Sequence, residues 1–204
     1  MIAPPTVFVV DDDPAARHSF QKLAKSHGQS CIAFPSAEAF LEQDRPSGAG
    51  CLVLDLRMRD MSGLELQKVL NIEGLRMPVI IVTGHADVKS TIEALKSGAV
   101  TLLEKPCCDE TLWNHVQQAL DLDIQRRQQA AEHEELRAKI ARLPSDERAL
   151  VNRLVAGERS YDVARDLRVS TDELHHRRSE ILTKIGVGTL AELVEKLLAG
   201  DATV

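Results

Sequence analysis

Through the first 120 or so residues, short unbroken apolar runs alternate with stretches in which apolar positions recur every three or four residues. The runs lie at about 6–11, 30–34, 50–55, 78–83 and 100–104, and they are rich in Val, Ile and Leu. Runs of this length that do not alternate with polar residues are the pattern of parallel strands buried on both faces. The stretches between them have helical spacing. Ala16, Phe20, Leu23 and His27 recur at +4, +3 and +4, and the pattern ends at Gly28. Ser36 and Ser62 stand where helix N-caps are expected. Leu64, Leu66, Val69 and Leu70 follow the second of these. Val88, Ile92 and Leu95 share one face of a fourth helix, which stops at Gly98. A fifth begins near Asp109 with the stripe Leu112, Val116 and Leu120.

Five such strand–helix units predict an α/β domain: a five-stranded, doubly wound parallel sheet of the flavodoxin-like type. The pattern then changes. Gln125 to Glu135 has high helix propensity and no apolar face. Such a stretch is either a solvent-bridging helix between domains or a disordered charged linker. Apolar spacing returns at Leu136, Ile140 and Leu143, and Pro144 ends it. Beyond this the pattern is all helical, with helices expected at about 145–156, 160–167, 171–185 and 189–199, and with Ser145 as a cap. Residues 160–185 read as helix-turn-helix. The expected organisation is an α/β domain over 1–122, a long helical linker over 123–143 and a four-helix domain over 144–204.

Composition narrows the function. Hydrophobic residues are 44% and charged residues 27%, ordinary for a globular chain, and the net charge of −6 argues against indiscriminate coating of nucleic acid. No apolar stretch approaches the roughly 20 residues that span a bilayer. Met1 to Pro5 lack the features of a signal peptide, so a cytosolic location is expected. Cys31 and Cys51 lie in apolar runs, and the adjacent Cys107 and Cys108 match no zinc spacing, so redox or metal roles are not expected of them.

The chemistry gathers at strand ends. Asp11 and Asp12 close the first run, Asp55 the third, Thr83 the fourth and Lys105 the fifth. In an open parallel sheet the carboxyl ends share one edge, where ligands bind. Carboxylates there suit a hard dication such as Mg2+. A lysine and a hydroxyl beside it would hold a phosphoryl group while one carboxylate attacks it.

The motifs Val9-Val10-Asp11-Asp12-Asp13, Asp55 through Gly63, Thr83-Gly84-His85 and Lys105-Pro106 occur in this order over about residues 5–122. They resemble the receiver domain of two-component response regulators. The whole chain resembles the FixJ-like branch, which joins a receiver to a LuxR-type helix-turn-helix DNA-binding domain. The resemblance implies that Asp55 is the phosphoacceptor and that a sensor histidine kinase is the donor. It implies that Asp12 and Asp55 bind Mg2+ directly, Asp11 through water, and that the backbone carbonyl of Arg57 completes the set. Thr83 and Lys105 would contact the phosphoryl oxygens, Lys105-Pro106 would be cis, and phosphorylation would favour a homodimer on promoter DNA. Arg57 and His85 would flank the pocket. Asp13 reads as a capping or solvated neighbour. Two positions depart from the family: Arg59 stands where it has proline, and Leu102 where it has Tyr or Phe.

The second domain resembles the LuxR-type module through Glu147-Arg148, Leu167 to Ser170 and Lys184 to Val187, among others. The reading helix would be 171–185. His175, Arg177 and Arg178 would contact bases or phosphates, and Lys184 the backbone. Between Pro144 and Ala199, however, nine basic residues face ten acids. Affinity from phosphate neutralisation should then be small, and an output that binds protein rather than DNA is the competing reading. No enzyme activity is expected. The enzymatic competitor, a haloacid-dehalogenase-type phosphatase with Asp11 as nucleophile and Asp13 as acid, leaves the Asp55 motif unexplained.

Overall fold

In the computed structural model, which describes residues 4–43, 48–84 and 87–201, each apolar run of the first half is a strand. These are β1 (Thr6–Val10), β2 (Ser30–Phe34), β3 (Gly50–Leu54), β4 (Val79–Thr83) and β5 (Ala99–Glu104). All pairs are parallel, in the order β2-β1-β3-β4-β5. Every residue of β1, β3 and β4 is buried, which is why these runs do not alternate. Side chains go to opposite faces in turn. Phe8, Val10, Leu52, Leu54 and Ile81 enter one core, and Val7, Val9, Cys51, Val53 and Ile80 the other.

Helices α1 (Pro14–Ser26), α2 (Ala37–Glu42), α3 (Gly63–Ile72), α4 (Val88–Lys96) and the first part of α5 (Asp109–Ala141) cover the sheet. Phe40 of α2 and Leu66 and Leu70 of α3 fill the first core. Phe20 and Ala24 of α1, with Leu112, Trp113, Val116 and Leu120 of α5, fill the second. Each of the larger side chains contributes about 1.5–3 kcal/mol of burial. The helix starts are chemically marked. Ser36 accepts from the Ala39 amide at 3.2 Å, and Ser62 and Glu65 form a reciprocal capping box.

Three sequence expectations shift. The stripe Val88, Ile92 and Leu95 faces outward, at 77, 48 and 47% exposed, because α4 lies on the protein through Ala94, whose small side chain is fully buried. His27 does not enter the core; it is exposed and stacks on Trp113, with ring centroids 4.2 Å apart. Ser145 lies in the first turn of its helix, with Pro144 at the cap position and no side-chain capping bond.

The chain divides into two compact units between Arg127 and Gln128, inside α5. The polar stretch is therefore helical rather than disordered, and residues 125–132 are exposed. Just before the division, the Asp123 carboxylate is buried. It accepts from the Gly50 amide at 2.9 Å and from Arg127 Nε at 2.7 Å. Gly50 admits no side chain, since a Cβ would lie 2.7 Å from the Thr6 carbonyl oxygen. The second unit comprises α6 (Ser145–Val155), α7 (Ser160–Leu167), α8 (Thr171–Ile185) and α9 (Leu190–Asp201). Its core holds Leu150, Leu154, Val163, Leu174, Ile181, Ile185 and Leu193, joined by Leu136 from the end of α5 and by Leu143. No helix among the described residues is long and apolar enough to cross a membrane.

Candidate functional site

The sheet order reverses direction between β1 and β3, so their carboxyl ends flank the crevice where such folds bind ligands. The residues just beyond the strands are fixed by further rungs of the ladder. The Asp11 amide donates to the Phe34 carbonyl at 3.3 Å, the Asp55 amide to the Val10 carbonyl at 2.9 Å, and the Lys105 amide to the Thr83 carbonyl at 2.8 Å. Asp11, Asp55, Thr83 and Lys105 are thus held at one edge by the backbone itself. The Lys105-Pro106 peptide is cis.

Asp11, Asp12 and Asp55 converge, each offering an oxygen within 4.8 Å of the others. Lys105 Nζ donates to Asp11 Oδ2 at 2.6 Å and lies 3.7 Å from Asp55 Oδ2. Arg17 donates to the Asp11 backbone carbonyl at 2.7 Å, which braces the start of α1 against the pocket. Asp55 Oδ1 is buried and accepts no hydrogen bond. Burial pushes the Asp55 carboxyl above the ordinary carboxylate range and Asp11 adds to this, while Lys105 opposes both. Burial works against the Lys105 ammonium, but its bond to Asp11 and the charges of Asp11 and Asp55 together hold its pKa above the usual lysine value. Thr83 is fully buried. Oxygen donors, a like-charge cluster and an unpartnered buried oxygen fit a hard dication.

The loop from Asp55 to α3 is tightly seated. The Gly63 amide donates to the Leu56 carbonyl at 3.0 Å, and a Cβ on Gly63 would lie 2.3 Å from the Asp55 carbonyl oxygen. Glu38 of α2 accepts from the Met61 amide at 3.2 Å. Arg57 and Arg59 are exposed on this loop, and Arg59 Nε lies 3.7 Å from Asp12 Oδ2. Leu102 is half-buried and packs on the first core. His85 lies outside the described residues. Asp13 is exposed and accepts from the Ala15 amide at 2.9 Å as the N-cap of α1. That is the capping role expected for it. Burial pushes the Cys31 thiol up to about 11 and the Cys51 thiol well above its ordinary range, so both are protonated at neutral pH.

In the second unit, α7 ends at Arg168 in the left-handed conformation and α8 starts at a Ser170 cap, as helix-turn-helix requires. His175 and Arg177 are exposed on α8. Arg178 lies on the buried side of the helix. It falls four residues after Leu174 and three before Ile181, both buried, so it lies along the apolar stripe. There it is half-buried and lines a small cleft with Val151, Leu154 and Leu190. Arg177 donates to Glu173 at 2.5 Å and Lys184 to Glu147 at 2.5 Å, and His176 lies 3.6 Å from Glu180.

The sequence reading missed the Asp12–Arg59 pair, the Glu38 brace and the burial of Asp123. Arg59 stood out only as a departure from a resemblance. The Glu38 brace depends on a contact between residues far apart in the chain, and the charge of Asp123 masked its place on the stripe of α5.

Comparison with known proteins agrees with this geometry. The family model "Response regulator receiver domain" matches residues 7–117. The transcriptional regulatory protein FixJ of Azorhizobium caulinodans is 40% identical, covering 96% of this chain and 93% of the relative. The transcriptional regulatory protein TdiR of Thauera aromatica is 32% identical, covering 97% and 87%. Among solved structures, the response regulator StyR is similar at a TM-score of 0.77 with 35% identity, covering 97% of this chain and 100% of that one. Full-length FixJ from B. japonicum is similar at 0.58 with 32% identity, covering 99% of each.

Proposed function

The chain belongs to the two-component response regulators that carry a receiver domain, and on that footing we propose that Asp55 accepts a phosphoryl group from a sensor histidine kinase. The protein acts in transcription regulation. The observation that carries the phosphoacceptor reading is Asp55 itself. It stands at the end of β3, its Oδ1 is without a hydrogen bond, and it lies between two further carboxylates and Lys105.

Asp12, Asp55 and the Arg57 carbonyl would hold Mg2+ directly, with Asp11 acting through water. Bound there, Mg2+ supplies neutralising charge beside the phosphoryl oxygens. An Asp55 oxygen forms the bond to phosphorus as the phosphorus–nitrogen bond of the donor histidine breaks. The imidazole keeps the electron pair and takes up a proton. Lys105, already lying across the pocket, exchanges its carboxylate partners for phosphoryl oxygens, and Thr83 donates its hydroxyl to them. The new group adds up to about two negative charges, enough to bias a two-state element.

Phosphorylation would pair two copies of the chain. The outward apolar residues Val88, Ile92 and Leu95 of α4, with Val100 of β5, support that pairing. A two-fold dimer would then set α8 of each copy against promoter DNA in the cytosol. His175 and Arg177 would meet bases or phosphates, Lys184 the backbone, and Arg178 would support α8 from its buried side. The pairing of Arg177 and Lys184 with acids favours a second reading, in which the output unit binds protein.

The test is incubation with Mg2+ and a small acyl-phosphate donor, read by mass and by sizing. One phosphoryl increment, absent from Asp55→Asn, is expected, together with a shift toward dimer. An unchanged increment in Asp55→Asn would refute the assignment.

A further inference from the structure

We propose that Arg59 is a resident counter-cation of the pocket: it holds Asp12 while no dication is bound, must leave when one enters, and so sets the pocket's cation affinity. The inference rests on the Mg2+ pocket proposed above and concerns a residue to which that reading gives no role.

Three observations carry it. First, the pocket's internal cation is already divided. Lys105 bonds to Asp11 and approaches Asp55, and the Asp12 side chain, 30% exposed, lies outside its reach as an ion-pair partner. Arg59 Nε, 3.7 Å from Asp12 Oδ2, supplies the cation that Lys105 does not. Second, the loop that carries Arg59 is anchored on both sides. It is held at Asp55 and Gly63 by backbone contacts that leave no room for a Cβ, and at Met61 by Glu38. The side chain therefore starts from a fixed base beside the mouth of the pocket. Third, Arg59 itself is 89% exposed. It pays little desolvation to be there and can swing into water, which a buried partner could not do.

The physical consequence follows from reciprocity. A dication on Asp12 repels a guanidinium held against the same carboxylate, so each weakens the other by the same factor. Lys105 and Arg59 together carry the charge of one dication beside the three carboxylates, and entry of the ion requires that at least the outer of the two withdraw. Arg is permanently charged, so this competition does not depend on pH near neutrality. It does depend on ionic strength, because an exposed pair is screened within about a Debye length of 10 Å at 0.1 M salt.

The experiment is an NMR titration of the full chain with Mg2+ alone, at low and at high salt, on the wild type, Arg59→Gln and Arg59→Lys. Amide shifts of the pocket report the Kd, and the Arg59 Nε–H resonance reports its release. At low salt, Arg59→Gln should bind Mg2+ roughly two- to fivefold more tightly, the range an exposed ion pair supports. Arg59→Lys should stay near the wild type, and the gap should shrink at high salt. In the wild type the Nε–H resonance should move with the same Kd as the pocket amides. Equal affinity of the wild type and Arg59→Gln at low salt, or an Nε–H resonance indifferent to Mg2+, overturns the inference and leaves the pocket standing. Absence of Mg2+ binding in all three proteins overturns the pocket reading, and this inference with it.

Discussion

The strand-end pocket and the exposed face of α8 both collect charged residues, but they balance them differently. In the pocket, three carboxylates converge, Lys105 meets two of them and Arg59 the third from outside, and one buried oxygen of Asp55 has no partner. On α8, Arg177 is matched by Glu173, and Lys184 by Glu147 of α6. An unbalanced, partly buried set stores an electrostatic demand that only a ligand can meet. A balanced, exposed set is already satisfied by its own neighbours and gains less from a partner. The same residue types thus point to a ligand in one place and to a solvated surface in the other.

The strongest way to break the contrast is at the backbone beneath the pocket. Gly63→Ala would set a Cβ 2.3 Å from the Asp55 carbonyl oxygen, and only a backbone shift relieves that. It should cost about 3 kcal/mol or more in denaturant unfolding of the first unit and abolish acyl-phosphate formation. A wild-type midpoint would show that the loop is looser than its hydrogen bonds imply. Next in size is the response to the ion. Mg2+ at about a hundred times its Kd should stabilise the first unit by about 2.7 kcal/mol in calorimetry. The gain should vanish in Asp12→Asn, and the transition of the second unit should not move. The smallest effect sharpens the other side of the comparison. Glu173→Gln releases Arg177, which should tighten binding to target DNA by roughly threefold and steepen the salt slope by about one. No DNA binding by either protein at low salt would favour the protein-binding output.

Much of this was legible in the residues because the fold leaves periodic marks. Unalternated runs such as Val7 to Val10 announce strands buried on both faces, and Ser36, Ser62, Gly28 and Gly98 mark helix ends by local chemistry. Asp11, Asp12, Asp55, Thr83 and Lys105 were legible for a topological reason, since each closes or follows a strand and parallel strands end on one edge. What escaped lies in tertiary contact. Spacing groups Val88, Ile92 and Leu95 but cannot say which way that face turns, and Ala94, too small to stand out, decides it. Arg178 is the opposite case. Its place on the stripe of Leu174, Ile181 and Leu182 could have been read from spacing alone, and its charge drew the reading outward. Asp123 is a second such case: it falls three residues after Leu120 and seven after Val116 on the stripe of α5, and its charge masked its burial.

That carboxylate also fixes where the signalling module can be cut. A fragment ended at residue 122, where the apolar stripe of α5 stops, would lose the acceptor of the Gly50 amide and leave a buried donor unpaired at the root of the central strand. Such a loss costs about 1–3 kcal/mol. A fragment meant to drive another output should therefore extend past residue 122 to Arg127, which keeps both hydrogen bonds of Asp123.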